Sequence, residues 1–319
     1  MATKRYLSTL NVEELKKFEA IAAEWWSLNG PAKGLHSMNG VRVPFVCDNL
    51  LKAQGKTASD DLPLKNTKIA DIGTIYRVFD IYLYAPIMQF IFFKAFMILL
   101  LATFQGVRFL LYPLYILKSK RTLNEYCVIV IVISFLGCGG GILSEALARL
   151  GASVVGLDPC EANIKAAKLH AESDPVLAER LVYLPMTAED YLNQHPEEPF
   201  DAIVASEVIE HVDHPKDFVE VCSKLVPVGG SLFFTTINRT TKSWLGAIIV
   251  AENILGLLPM GTHEWKKFIT TQELTNMVEN SGASVRLIHG MLYIPGLNKW
   301  TWFPDTSVNY ALHAIKAAR

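Results

Sequence analysis

Apolar and polar positions fall into three regimes along the chain. In the first, residues 11–26 carry a helical stripe of Leu15, Phe18, Ile21, Ala22 and Trp25. Asn11 is placed to cap it with Glu14 three residues on, and Asn29-Gly30-Pro31 ends it. Leu35–Asn39 leads to Arg42 and Pro44, and a second helix is expected over 46–51. Residues 53–67 are polar and loop-like, and 68–72 reads as a short buried strand with Asp71 near its end. In the second regime, from Ile81 to Leu117, the chain is almost continuously apolar, broken by Lys94, Arg108 and Pro113.

The third regime begins at Gly137 and is regular. Strands are expected over 153–158, 181–184, 200–206 and 231–236, and helices over 142–150, 161–171 and 215–225. Gly151 suits the C-cap of the first helix, and Pro227–Gly230 makes a turn. Strands that alternate with helices build a parallel sheet with helices on its faces. The expected fold is therefore α/β with an N-terminal helical cap. Its parts are the cap (1–52), a linker and first strand (53–73), an anomalous apolar insert (74–136) and the remainder of the core (137–319).

Length and charge narrow the function. The 319 residues suffice for one large core or two modest ones, and a net charge of -1 gives no global field that favours nucleic acid. Five cysteines, at 47, 127, 138, 160 and 222, lack any C-x-x-C pairing and read as reduced intracellular thiols. The start, basic and hydroxylated with no acid before Glu13, fits either the remnant of a mitochondrial presequence or a frayed terminus.

Mean hydropathy of +0.25 is high for a soluble enzyme, and much of the excess lies between Ile75 and Leu136. Three readings of this stretch stand. Residues 81–104 are long enough to cross a bilayer, which takes about 20 apolar residues, but Lys94 near the middle opposes it. Residues 128–136 are apolar enough to replace the strand at 68–72. The third reading is a retained intron read in frame. The stretch is rich in residues with A/T-rich codons, and it lies between Gly73 and Gly137, two copies of a glycine that belongs once in the motif. Joining Gly73 to Cys138 restores K-I-A-D-I-G-C-G-G-G-I-L-S-E-A-L-A: strand, glycine turn, amphipathic helix.

Candidate chemistry gathers at the strand ends. Glycines at 137 and 139–141 allow close backbone approach to a ligand and positive φ. The third glycine of a dinucleotide fingerprint is replaced by Ile142, which argues against an NAD-linked oxidoreductase. Asp158 ends the second strand about 20 residues after Gly137, where a carboxylate accepts ribose hydroxyls or caps the next helix. After the fourth strand, Ser206-Glu207-Val-Ile-Glu210-His211 would place Glu207, Glu210 and His211 on one face if it turned helically. They then suit a hard cation such as Mg²⁺, which would acidify a phenol; alternatively His211 acts as a metal-free general base, or the turn is merely solvated. The run Trp244–Pro259 is either core or a lid that touches a membrane, with Lys242 at the headgroups. His263 lies near the substrate or is structural.

Assembled, these stretches resemble the class I S-adenosylmethionine (SAM)-dependent methyltransferases, and among them the ubiquinone-biosynthesis O-methyltransferases. The resemblance rests on F-E-A-I-A-A-E-W-W, L-H-S-M-N-G-V-R-V, D-I-G broken before C-G-G-G-I-L-S-E-A-L-A-R-L-G-A, V-V-G-L-D, A-K-L-H-A, S-E-V-I-E-H-V, T-T-I-N-R-T-T-K-S-W, P-M-G-T-H-E-W-K-K-F and D-T-S-V-N-Y. It covers nearly everything outside 74–136 and implies a Rossmann-like, seven-stranded, mostly parallel sheet with helices on both faces. It also implies that Arg42, Gly73 or Gly137, Asp158 and Ser206 bind SAM, that Glu207, Glu210 and His211 hold Mg²⁺, and that His211 and Glu207 are catalytic. The substrates implied are polyprenyl-dihydroxybenzoate and demethylubiquinol. The implied setting is peripheral, on the matrix side of the mitochondrial inner membrane within a multi-protein coenzyme Q complex. A chain that keeps 74–136 has a rival reading as a membrane-inserted, inactive binding protein.

Overall fold

The structure, a computed structural model, describes residues 22–28, 30, 32–56, 62–72, 138–244, 265–294 and 297–318. The insert 74–136, the strand candidate at 128–136, Gly73, Gly137, His263 and the run 245–259 lie outside the described residues, as does most of the helix expected from Asn11.

The sheet has eight strands: β1 (Lys68–Ile72), β2 (Ser153–Leu157), β3 (Leu181–Leu184), β4 (Ala202–Ser206), β5 (Ser231–Ile237), β6 (Ala283–Ile294), β7 (Lys299–Phe303) and β8 (Asn309–Lys316). They lie in the order β3-β2-β1-β4-β5-β8-β6-β7. The first five in that order run parallel. β8 is antiparallel to both β5 and β6, and β7 folds back on β6. This is the expected fold with one edge strand, β7, beyond the seven anticipated. Of the two candidates for the first strand, 68–72 is the one in the sheet, paired with β2 on one side and β4 on the other. The order reverses at β1, and the carboxyl end of such a switch point is where α/β sheets place ligands.

The helices are α1 (Lys33–Ala53), α2 (Ile142–Arg149), α3 (Glu161–Ala171), α4 (Pro175–Ala178), α5 (Ala188–Gln194), α6 (Pro215–Lys224), α7 (Thr241–Ser243) and α8 (Thr271–Asn280). Alternation along the strands feeds two cores, one on each face. Ile69, Val154, Val204 and Phe233 pack with α1 and α2, whereas Ile72, Ile203, Leu232 and Phe234 pack with α5, α6 and α8. Central strands are buried on both faces and therefore read as continuous apolar runs; every residue of β4 and β5 is buried. Gly151 takes a φ of 100° just past α2, as its C-cap role requires. Lys316 at the end of β8 donates to the carbonyls of Ser223 and Val226, each at 2.7 Å, and so satisfies the last turn of α6.

Two expectations for the cap are corrected. The helix placed at 46–51 is the end of one 21-residue helix, α1, which runs through Pro44. Its buried stripe of Leu35, Met38, Val41, Arg42, Phe45, Val46 and Leu50 keeps helical spacing across the proline. Pro44 itself is exposed, as is Gly40, whose carbonyl loses its intrahelical partner and faces water. Burial of the stripe therefore outweighs the break. The helix expected through Trp26 is, over its described part, a short 3₁₀ turn at Ala22–Glu24. Trp25 and Trp26 follow it and are fixed by their own ring hydrogen bonds.

Because Pro44 is exposed inside a continuous helix, Pro44→Ala should stabilise the protein by about 1–2 kcal/mol, the restored helical geometry outweighing the freer unfolded chain. Leu50→Ala, at a site 1% exposed, should destabilise by about 3 kcal/mol. Urea unfolding of both variants checks the pair; a loss of stability in Pro44→Ala would show that α1 depends on its proline.

Candidate active site

The carboxyl ends of β1, β2 and β4 gather three acids under α1. Asp71 is completely buried in β1. Its Oδ2 accepts from the Ser144 hydroxyl in the first turns of α2 at 2.6 Å, and its Oδ1 has no hydrogen-bond partner. Burial raises its pKa to about 6, against the opposing pull of Ser144 and the Arg42 guanidinium. Thus β1 and α2, which flank the insert in sequence, meet directly.

Asp158, the residue after β2, is equally buried. Its Oδ2 accepts from the Gly139 N–H at 3.1 Å, and its Oδ1 from the Cys160 N–H at 2.8 Å. Asn163 donates more loosely to both oxygens. Burial pushes its pKa up to about 7, with a smaller upward push from Asp71. Asp158 therefore bonds two residues ahead and does not cap α3, whose N-cap is Cys160. The carboxylate instead ties the end of β2 to the glycine turn. Gly139 and Gly141 in that turn have φ of 46° and 84°, which glycine adopts without strain.

Arg42 reaches the strand ends from the buried face of α1 and is 3% exposed. Its Nε donates to Asn39 at 2.6 Å and its Nη1 to the Ser206 hydroxyl at 3.2 Å. Asn39 in turn donates to the Ile142 carbonyl, which fixes α1 to α2. Burial lowers the pKa of Arg42 to about 10, while Asp71 and Glu207 draw it back up. Ser206 also shares a hydrogen bond with Thr235 of β5 at 2.8 Å.

Glu207 is a left-handed residue, φ 56°, directly after β4. A bulky side chain rarely takes this conformation, and such strain collects at functional sites. It is fully buried, and neither carboxylate oxygen has a hydrogen bond. Its pKa is pushed well up by burial and then by the charge of Glu210; the nearby Thr235 hydroxyl and Arg42 act the other way. Ile209–His211 forms a 3₁₀ turn, so the single helical face expected for Glu207, Glu210 and His211 is not formed. Glu210 accepts from Thr236 at 2.7 Å, and its other oxygen lies 3.5 Å from His211 Nε2. Among the described residues, no group of three or more His, Cys, Asp or Glu is disposed to hold a metal ion.

The structure thus brings together Arg42, Asp158, Ser206 and Glu207, and beside them Glu210 and His211; Gly73 and Gly137 lie outside the described residues. Sequence reasoning saw Asp71 as the acid near the end of the strand before the glycine turn but gave it no specific role in the site. It also read Trp25 only as part of an apolar stripe. Trp25 lies on the glycine turn, where a Cβ added to Gly139 would come within 2.6 Å of its indole.

A family model described as a methyltransferase domain matches residues 136–288. Three similar proteins carry the name ubiquinone biosynthesis O-methyltransferase. The mitochondrial one from Rattus norvegicus is 37% identical over 309 residues, covering 97% of this chain and 70% of its own. The mitochondrial one from Homo sapiens is 36% identical over 310 residues, covering 97% and 66%. The one from Pelagibacter ubique (strain HTCC1062) is 33% identical over 310 residues, covering 97% and 100%.

The raised pKa values of Asp71 and Asp158 give a signed expectation. The folded chain holds protons that the unfolded chain releases, so these acids lower stability as pH rises from about 4 to about 7. Asp158→Asn removes one of them. Calorimetric Tm without ligand should therefore show wild type losing ground to Asp158→Asn across that interval, with the gap closing toward pH 4. A gap independent of pH would contradict the burial of an ionisable Asp158.

Proposed function

Because the chain belongs to the ubiquinone biosynthesis O-methyltransferases, we propose that the Arg42–Asp158–Ser206 cluster binds SAM and that the Glu207–Glu210–His211 turn ionises the phenol it methylates. The protein is a SAM-dependent O-methyltransferase of ubiquinone biosynthesis. The observation that carries the site assignment is the joining of Gly139 to Asp158 by a hydrogen bond. It sets a carboxylate and a glycine turn side by side at a strand end, where a nucleoside fits.

In this reading Asp158 accepts the ribose hydroxyls in place of the Asn163 amide, whose contacts at 3.3 and 3.4 Å are the loosest of those on the carboxylate. Arg42 pairs with the methionine carboxylate through its fork. His211 takes the phenol proton. The phenol oxygen then attacks the methyl carbon in line as the C–S bond breaks, leaving S-adenosylhomocysteine, and His211 returns the proton to solvent. The substrates are polyprenylated dihydroxybenzoate and demethylubiquinol, each with a second oxygen beside the reacting one.

A divalent cation such as Mg²⁺ suits the carboxylates better than it suits the imidazole. Mg²⁺ keeps several waters and takes one or two carboxylates, so Glu207 and Glu210 would hold it, with His211 at their side. The bare, buried oxygens of Glu207 beside Glu210 support this, because a cation would offset two acids that repel. When bound, the ion lowers the pKa of a phenol whose oxygens face it.

The enzyme sits in the mitochondrion, peripherally on the matrix face of the inner membrane and in contact with other proteins of the pathway. Trp244 and Trp265, 42% and 37% exposed, flank the apolar run 245–259 and support contact with lipid and with the prenyl tail. Among the described residues no helix is long and apolar enough to cross a membrane. The contact between β1 and α2 supports a working enzyme in which Gly73 continues directly into Cys138, with 74–137 a retained intron.

Titration calorimetry with S-adenosylhomocysteine tests the site. Asp158→Ala should weaken binding by roughly 30- to 1000-fold, the loss of charged hydrogen bonds to the ribose. Mg²⁺ should raise the Tm of wild type and leave that of Glu207→Gln unchanged. A chain lacking 74–137 should bind at least as tightly as the full chain. Equal binding by wild type and Asp158→Ala would overturn the assignment of the nucleoside site.

A further inference from the structure

The cofactor cradle in this structure is covered from outside the sheet by two consecutive indoles. Trp25 is 2% exposed and lies over Gly139 and Gly140. Its Nε1 donates to the Asn163 side chain at 2.9 Å, the same side chain whose amide donates to Asp158. Trp26 donates from Nε1 to the Gly140 carbonyl at 2.8 Å. Its ring stacks on His170 of α3, with centroids 3.4 Å apart and planes 1° from parallel, and meets His36 of α1 edge-on at 5.4 Å. His170 Nδ1 donates in turn to Glu145, a fully buried carboxylate in α2, at 2.7 Å. His36 lies 2.9 Å from the Trp25 carbonyl. Partners on α1, α2 and α3 thus hold a segment with little regular structure of its own.

A glycine turn serves a ligand by letting it approach the backbone closely. On this turn the close approach is made by Trp25. The side chain and a cofactor cannot share that space, so one must give way.

We propose that Trp25 and Trp26 form a gate over the SAM site, closed in the structure seen here, which must open for the methyl donor to enter and stays open while the donor is bound. This rests on the SAM-site reading above. The gate is built to open without disturbing the sheet. Its contacts are two indole hydrogen bonds, the bond between His36 and the Trp25 carbonyl, and ring packing, and none is a strand pairing. A site available for only part of the time binds with an apparent affinity reduced by the open fraction. Loosening the gate therefore speeds entry and tightens apparent binding, the reverse of what removing a cofactor contact does.

Stopped-flow binding of S-adenosylhomocysteine to the full chain tests it. Trp26→Phe keeps the stack on His170 but loses the bond to Gly140, and should raise the association rate constant about fivefold, the equivalent of one neutral hydrogen bond. Trp25→Ala should raise it further, and far-UV circular dichroism shows whether that variant is folded. The dissociation rate constant should change less than the association rate constant in both. Unchanged association with faster dissociation would overturn the gate and make Trp25 a wall of the bound donor's pocket. No binding by wild type or either variant would overturn the SAM-site reading, and the gate with it. Hydrogen exchange gives a second readout: residues 22–28 should lose protection when S-adenosylhomocysteine binds while residues 138–144 gain it. Protection of both segments would overturn the gate.

Discussion

Arg42 is the cation on which the strand-end cluster depends. A guanidinium this deeply buried needs partners, and buried acids need a positive neighbour to remain charged. Here each supplies the other: Asp71 and Glu207 favour its charge, and it opposes the neutralisation that burial imposes on both. The arrangement holds only if α1 sits across the sheet at one fixed height. The Asn39 bond to the Ile142 carbonyl and the apolar stripe on either side of Arg42 set that height. The stripe must be long to do so, which accounts for a helix that continues through an exposed proline.

The acids are buried for a reason rooted in topology. Parallel strands end together, and beyond the end of β1 the order turns outward both ways. Loops leave the strand ends there with backbone N–H groups to satisfy, and Asp158 accepts two of them, one from the glycine turn and one from its own loop. The same bonds that close the turn thus aim a carboxylate into the place where a nucleoside would lie. Fold and site share these contacts, so neither is specified without the other.

Much of this was legible in sequence. The regular half after Gly137 shows strands and helices close to where they form, because buried parallel strands are continuous apolar runs and glycines and prolines punctuate the turns between elements. The later strands β6, β7 and β8 were not placed individually: β6 is half-buried along most of its length and lacks clean alternation. The capping box of Thr270 with Glu273 at α8 was readable and passed over. For the site, type and spacing marked Asp158, and the resemblance marked Arg42 and Ser206, but spacing misled at Glu207. Counting i, i+3 and i+4 assumes a helix, whereas the backbone at Glu207 turns left-handed and the helical turn begins only after it. The role of Trp25 was invisible for a related reason. An aromatic in an amphipathic stripe looks like core, and only the three-dimensional path of the glycine turn shows what lies beneath it.

Taken together, these costs have one direction. Glu207 sits in a strained conformation with two bare oxygens, Asp71 leaves one oxygen without a partner, and Asp158 is held where burial favours its neutral form. A chain selected only for stability would replace such groups by apolar ones, since a buried charge network is seldom worth more than good packing. Each defect lies at the carboxyl ends of the central strands, and each is of a kind that the polar, cationic ligand proposed above would relieve: hydroxyls for Asp158, positive charge for Asp71 and Glu207. The protein without ligand is therefore less stable than its packing alone would make it, and a ligand bound only to the folded form returns that stability by mass action. The indoles over the glycine turn fit the same logic, because they fill the close approach that its glycines leave open.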